Sequence, residues 1–205
     1  MQYYFKADPS TPNEQQEKEL SGSQIEQEIF TKLQSTLKQA DAKNTIVISG
    51  WEFKGLNGML VGESDFLIVS LPLKSVIHIE AKRSQINPKS KGEKDPWQKA
   101  AEQLEKTRKI CLKNIPFEAS DSWRYFRFMF FQNTSNDLMD KICQACKDHI
   151  LTPATNFNDW WGQFVAKRMP ENDTTKSSKE TYLQIIHFLV HQMFIQDDVL
   201  SKGNK

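Results

Sequence analysis

Two short runs, Phe66-Leu67-Ile68-Val69 and Val76-Ile77, constrain this chain more than any other feature. Each is apolar on successive residues, the pattern of a strand covered on both faces. Ser64 to Leu71 and Ser75 to Ala81 therefore read as two central strands joined by a short turn at Pro72. Another strand precedes them, Thr45 to Phe53, built of β-branched and aromatic residues and followed by a turn at Gly55-Leu56-Asn57-Gly58. Tyr125 to Phe131 is too aromatic for a loop and reads as a further buried strand.

Helical signals flank these strands. Ser21-Gly22-Ser23 offers a helix start, and Ile25, Ile29, Phe30, Leu33 and Leu37 recur at helical spacing. After a polar loop with Pro88 and Gly92, Asp95 caps and Pro96 opens a helix that runs to about Lys113. From Asn136 onward the chain reads as helical: one helix before Thr152, one around Trp160 to Lys167, and one from Glu180 to Val199. The order predicts an α/β fold, a three-layer sandwich with a helical C-terminal part. Residues 1–20 form a loose lead-in, 21–135 the core, and 136–205 the helical part.

Composition narrows the function classes. At 205 residues with 38% hydrophobic residues, the chain can bury a core without disulfides or a structural metal. Its longest apolar runs are too short to span a bilayer, so no membrane role is expected. Cys111, Cys143 and Cys146 cannot build a disulfide framework, which points to a reducing compartment, cytoplasm or nucleus. Net charge is only +1, but Lys82 to Lys113 holds ten Lys or Arg against four acids. That basic stretch, with Arg83, Lys89, Lys91 and Lys94 near its start, suits either a phosphate-binding edge or a plain solvated face.

The chemistry lies in the central strands. Glu63 and Asp65 are two apart, as are His78, Glu80 and Lys82, and side chains two apart project on one face of a strand. Carboxylates in buried strands are costly unless paired or bound to metal. Asp65 and Glu80, at neighbouring strand ends, are within reach of one hard cation; Mg²⁺ takes one or two carboxylates and fills its shell with water and phosphate. Lys82, beyond Glu80 on the same face, is placed to orient or deprotonate an attacking water or to offset transition-state charge. Glu26 shares the core-facing stripe of the first helix and needs a partner there. The competing reading is a strand-end ion pair between Glu80 and Lys82. His78 either sits in the cleft beside Glu80 or satisfies a neighbour.

Three segments together resemble the PD-(D/E)xK nuclease superfamily, in its NERD-like and restriction-enzyme-like branches. They are Gly22-Ser23-Gln24-Ile25-Glu26, Gly62-Glu63-Ser64-Asp65-Phe66-Leu67-Ile68-Val69 and His78-Ile79-Glu80-Ala81-Lys82, with Ser64 replacing the usual Pro. The resemblance covers roughly Gly22 to Phe131. It implies a restriction-endonuclease-like sandwich with an αβββαβ core and a mixed sheet. It implies Mg²⁺ or Mn²⁺ held by Asp65, Glu80 and the Ala81 backbone carbonyl, with Glu26 as an outer or direct ligand. Lys82 becomes the catalytic base or stabiliser, and a Gln on the following helix joins the site, Gln98 ahead of Gln103. The implied activity is phosphodiester hydrolysis of DNA or RNA by a metal-activated water. The alternatives are a nuclease-fold module that binds nucleic acid or a protein without cutting, and a scaffold domain of a larger NTPase- or helicase-like protein.

Other constellations carry less. Cys143-x-x-Cys146 with His149 lacks a second ligand pair for zinc, and His187 with His191 lacks the carboxylate of the zinc-protease pattern. Trp160-Trp161 reads as a buried anchor rather than a base-stacking pair. No Gly-rich phosphate loop and no GxSxG elbow is present.

Overall fold

The computed structural model describes residues 14–40, 42–54, 59–83, 96–114, 123–134, 149–165, 167 and 176–202. Within them lie α1 (Glu14–Gln39), β1 (Thr45–Lys54), β2 (Leu60–Ser70), β3 (Ser75–Lys82), α2 (Pro96–Asn114), β4 (Arg124–Phe131) and β5 (Ile150–Leu151). A short α3 (Phe157–Asp159) runs into a π-helical turn (Trp160–Val165), and α4 (Lys176–Lys202) follows. The expected turn at residues 55–58, the loop holding Pro88 and Gly92, and the Asp95 cap lie outside the described residues.

The five strands form one mixed sheet in the order β1-β2-β3-β4-β5. β1, β2 and β3 pair antiparallel, while β3, β4 and β5 pair parallel. A parallel pair needs a crossover, and α2 supplies the one between β3 and β4. The strands read as central are central: every residue from Ser75 to Glu80 is buried.

Helices cover both faces, which makes this an α/β fold. On one face α1 lays Ile25, Ile29, Leu33 and Leu37 against Phe66, Ile68, Ile77, Ile79, Phe128 and Phe130, joined by Phe157, Trp160 and Trp161. On the other, α2 and α4 pack Ile110, Cys111, Ile185 and Leu189 against Ile48, Trp51, Leu67, Val69 and Val76. Trp51 Nε1 donates to the Leu189 carbonyl at 3.1 Å and ties α4 to β1. Burial of both Trp160 and Trp161 assigns them to the core. No helix among the described residues is long and apolar enough to cross a membrane.

Four expectations are corrected. Ser21-Gly22-Ser23 does not start α1 but lies inside it, because residues 14–20 are Glu, Gln, Lys and Leu, strong helix formers that carry the helix past one glycine. β2 begins at Leu60, four residues before Ser64. Within it, a Cβ at Gly62 would stand 2.5 Å from Ile110 Cδ1, so the glycine admits the Ile110 side chain of α2. Lastly, Ile150–Leu151 adds a strand to the sheet where helix was expected, and residues 160–165 widen into a π-turn.

Candidate active site

The β2–β3 ladder ends where the acids begin. Its register pairs Leu67 with His78 and Phe66 with Ile79, and the next step sets Asp65 opposite Glu80. There the strands part, and Asp65 Oδ2 takes the Ala81 N–H at 2.6 Å in place of a backbone carbonyl. Across the sheet, Gly50 of β1 stands opposite Asp65 with φ +64, and that pair is missing from the ladder. The left-handed turn is open to glycine without strain. It lets Ile48 and Trp51, three apart, both face α4.

Glu80 has no exposed surface. Its Oε1 accepts from Lys82 Nζ at 2.6 Å, and the Asp65 carboxyl lies within electrostatic reach. Lys82 Nζ also donates to Gln103 Oε1 of α2 at 3.1 Å, and Gln103 Nε2 donates to Glu63. Thr107, one turn along α2, donates its hydroxyl to the Glu63 carbonyl at 2.7 Å. The line Glu63–Gln103–Lys82–Glu80–Asp65 is thus pinned to β2, β3 and α2 together.

The electrostatics follow from crowding. Burial pushes the Asp65 carboxyl up to about 7, aided by the Glu80 charge and opposed by the Ala81 N–H and Lys82. Burial likewise lifts Glu80 to about 7 against the pull of Lys82. Glu26 of α1 rises to about 7 through burial and then through the charges of Asp65 and Glu80. Burial alone would lower the Lys82 ammonium; the Glu80 charge and hydrogen bond, with Asp65 and Glu63, overcome it and raise its pKa. Three acids, Glu80, Asp65 and Glu63, thus act on one ammonium, while burial and then like charge hold the carboxyls of Asp65, Glu80 and Glu26 near neutrality.

The structure brings Lys82 onto Glu80, and sets Asp65 and, from α1, Glu26 within electrostatic reach of that pair. Ala81, whose carbonyl was expected as a ligand, gives its N–H to Asp65. Gln98 is exposed on α2, and the glutamine that meets Lys82 is Gln103. The helical phase held the signal: Gln103 lies three after buried Ala100 and four before buried Thr107. Arg83 is exposed just past β3, its carbonyl accepting from Asn133 Nδ2 at 2.7 Å. Lys89, Lys91 and Lys94 lie outside the described residues.

As they stand, no three His, Cys, Asp or Glu side chains among the described residues converge as a ready metal cage. The donor set is nonetheless hard carboxylate oxygen with surplus negative charge, which suits Mg²⁺ or Mn²⁺ with a largely aqueous shell. Elsewhere, Cys143 and Cys146 fall outside the described residues, and His149 is exposed with Nδ1 3.0 Å from the Arg127 carbonyl. His187 and His191 are exposed and stacked, their centroids 5.5 Å apart. Comparison with protein families, curated proteins and solved structures finds no match for this chain.

Proposed function

We propose that this chain is a metal-dependent nuclease with a restriction-endonuclease-like PD-(D/E)xK core, cutting DNA or RNA at phosphodiester bonds. One observation carries the reading: Asp65 and Glu80 meet where β2 and β3 part, with Lys82 bonded to Glu80. An ion pair at a strand end would explain Glu80 and Lys82 alone. It leaves unexplained why Glu26 and Asp65 also gather there with their carboxyls pushed up.

Asp65 and Glu80 would hold Mg²⁺ or Mn²⁺, with Glu26 in or beside the shell and the Ala81 carbonyl as a further oxygen. When bound, that cation polarises water and phosphate and offsets charge in the transition state. Lys82 then leaves Glu80 free and turns its ammonium to the attacking water or to the developing charge. Gln103 keeps that ammonium in the cleft, and Glu63 keeps Gln103. Arg83 and the basic stretch behind it, Lys89, Lys91 and Lys94, meet the phosphate backbone, and Gln98 at the start of α2 borders the same edge.

A second reading, a module that binds nucleic acid or a protein within a larger protein without cutting, draws on the closed state of the cluster, with Lys82 on Glu80 and no ready cage among the described residues. One experiment separates the two. Single- and double-stranded DNA and RNA are incubated with the chain and Mn²⁺ or Mg²⁺, with and without chelator, beside Asp65→Ala. Chelator-sensitive cleavage that Asp65→Ala loses supports the nuclease. Nucleic acid bound but uncut under either metal, with no Mn²⁺ effect on melting, supports the binding module.

A further inference from the structure

Behind Glu80 runs a buried polar line that the chemistry above does not use. His78, two residues before Glu80 on the same face of β3, has no exposed surface. Its Nδ1 lies 3.0 Å from Tyr125 Oη on β4, which sits beside the buried Cys111 of α2. Its Nε2 stands 3.6 Å from Glu80 Oε2, just beyond hydrogen-bond length. Both of these buried atoms otherwise lack a partner. Two orphaned polar atoms facing each other in a core are each the other's remedy, since an unmade buried hydrogen bond is costly.

Donor and acceptor chemistry narrows the arrangement. A carboxylate oxygen only accepts, so the nitrogen that faces Glu80 Oε2 is the one that carries hydrogen, Nε2. Nδ1 is then left as the acceptor, and the Tyr125 hydroxyl donates to it.

We infer that His78, oriented by Tyr125, is a positioning residue for Glu80: its Nε2–H donates to Oε2 and keeps Oε1 turned to Lys82 and the cleft. The consequence for metal and turnover rests on the nuclease reading; the tautomer and the hydrogen bond do not. Hydrogen-bonded supports of metal ligands commonly set affinity or activity by about 10–100-fold.

The test uses the full chain and two readouts. ¹⁵N spectra of the metal-free protein at about pH 9, where the Glu80 carboxyl is ionised, should show His78 protonated at Nε2 with Nδ1 accepting, and Tyr125→Phe should lose that bias. Mn²⁺ titration and turnover are then compared for His78→Gln, which keeps a donor near the Nε2 position, and His78→Leu, which fills space without one. His78→Leu should weaken Mn²⁺ binding about tenfold and lower kcat more than it raises KM. His78→Gln should recover most of both. Should His78→Leu fail to fold, Tyr125→Phe, which keeps ring and packing, should reproduce part of the loss. An Nδ1–H tautomer, or variants that bind Mn²⁺ and turn over as the parent does, would overturn the inference and leave His78 a packing residue. A parent that neither binds Mn²⁺ nor cuts would instead overturn the nuclease reading, and the ¹⁵N spectra would still decide the hydrogen bond.

Discussion

Along β3, neighbouring residues belong to two different interiors. Ile77 and Ile79 point into an apolar layer beneath α1. Val76 opens the other side, and His78, Glu80 and Lys82 follow it there, meeting Tyr125 of β4 and Gln103 of α2. Those two isoleucines have nothing but packing to optimise. The α2 side buries a carboxylate and a neutral imidazole that a hydrophobic pair of similar volume would replace without loss of stability. One face of the strand holds the fold together, and the other carries a cost that stability alone does not explain.

If the chain is the nuclease proposed, the largest effects that sharpen this contrast fall in turnover. Lys82→Ala should lower the cleavage rate about 10²–10³-fold, the scale of one preorganised charge, while the Mn²⁺ shift in melting survives. Lys82→Arg should fail too, because a planar guanidinium that stays protonated does not replace a compact ammonium. Glu80→Ala differs by losing metal and turnover together. A Lys82→Ala chain that cuts at the parental rate would remove Lys82 from the mechanism.

On the α1 side the same strand should answer in stability alone. Ile79 is fully buried, and Ile79→Ala should cost about 2–5 kcal/mol, read by denaturant unfolding. Specific activity per folded molecule and the Mn²⁺ dissociation constant should stay at parental values. Loss of Mn²⁺ affinity in that variant would mean that the two faces are not separable.

How much of this could be read in the sequence depends on how local the determining physics is. Strand alternation is a two-residue property, so the grouping of His78, Glu80 and Lys82 was legible. The central placement of β2 and β3 was too, because their apolar runs are continuous. Selection of Gln103 over Gln98 depends on the rotation of α2 over the sheet, and that rotation is set where Ala100, Leu104 and Thr107 dock. β5 was invisible because two residues have no periodicity, and Ile150–Leu151 is a strand only by its pairing with β4. Gly62 shows no local sign of its purpose either, which is to admit Ile110, a residue 48 positions further along the chain. The Tyr125–His78 contact likewise arises from a parallel pairing that no local pattern announces.

A pH experiment exposes the cost of the acid cluster. Glu26, Asp65 and Glu80 are pushed up to about 7, whereas unfolded carboxyls titrate near 4. Between these values the folded chain holds more protons than the unfolded one, so metal-free stability falls as pH climbs from about 4 to about 7. His78, pushed down to about 3, works oppositely, and its contribution is lost as pH falls below about 6.5. Comparing the parent with Asp65→Asn cancels the histidine, which both share. The amide still accepts from Ala81 N–H but carries no charge. Asp65→Asn should therefore melt a few degrees above the parent at pH 8, on a scale of roughly 2–4 °C per kcal/mol. The gap should narrow at pH 5, where Asp65 is already protonated, and saturating Mn²⁺ at pH 8 should reverse it. An equal gap at both values would mean that Asp65 carries no charge-dependent cost.

The smallest effect is the most discriminating. Gly62→Ala puts a methyl 2.5 Å from Ile110 Cδ1 and 3.6 Å from Thr107 Oγ1. The Ile110 tip can yield, so the cost should be about 1 kcal/mol, the low end for overpacking. Yielding moves α2 relative to β2, and α2 carries both Thr107, which grips the Glu63 carbonyl, and Gln103, which steers Lys82. Small displacements at a reacting centre reach turnover more readily than stability, since about 1 Å of misplacement can cost 10²-fold. Gly62→Ala should therefore lose several-fold in kcat. Its partner is Ile77→Val on the α1 side, which removes one methyl for about 0.5–1.5 kcal/mol. Matched in stability, the two should differ in kcat, with Ile77→Val at the parental rate. Equal kcat in the pair would show that the α2 contact does not set the cleft, and that Gln103 follows Lys82 rather than steering it.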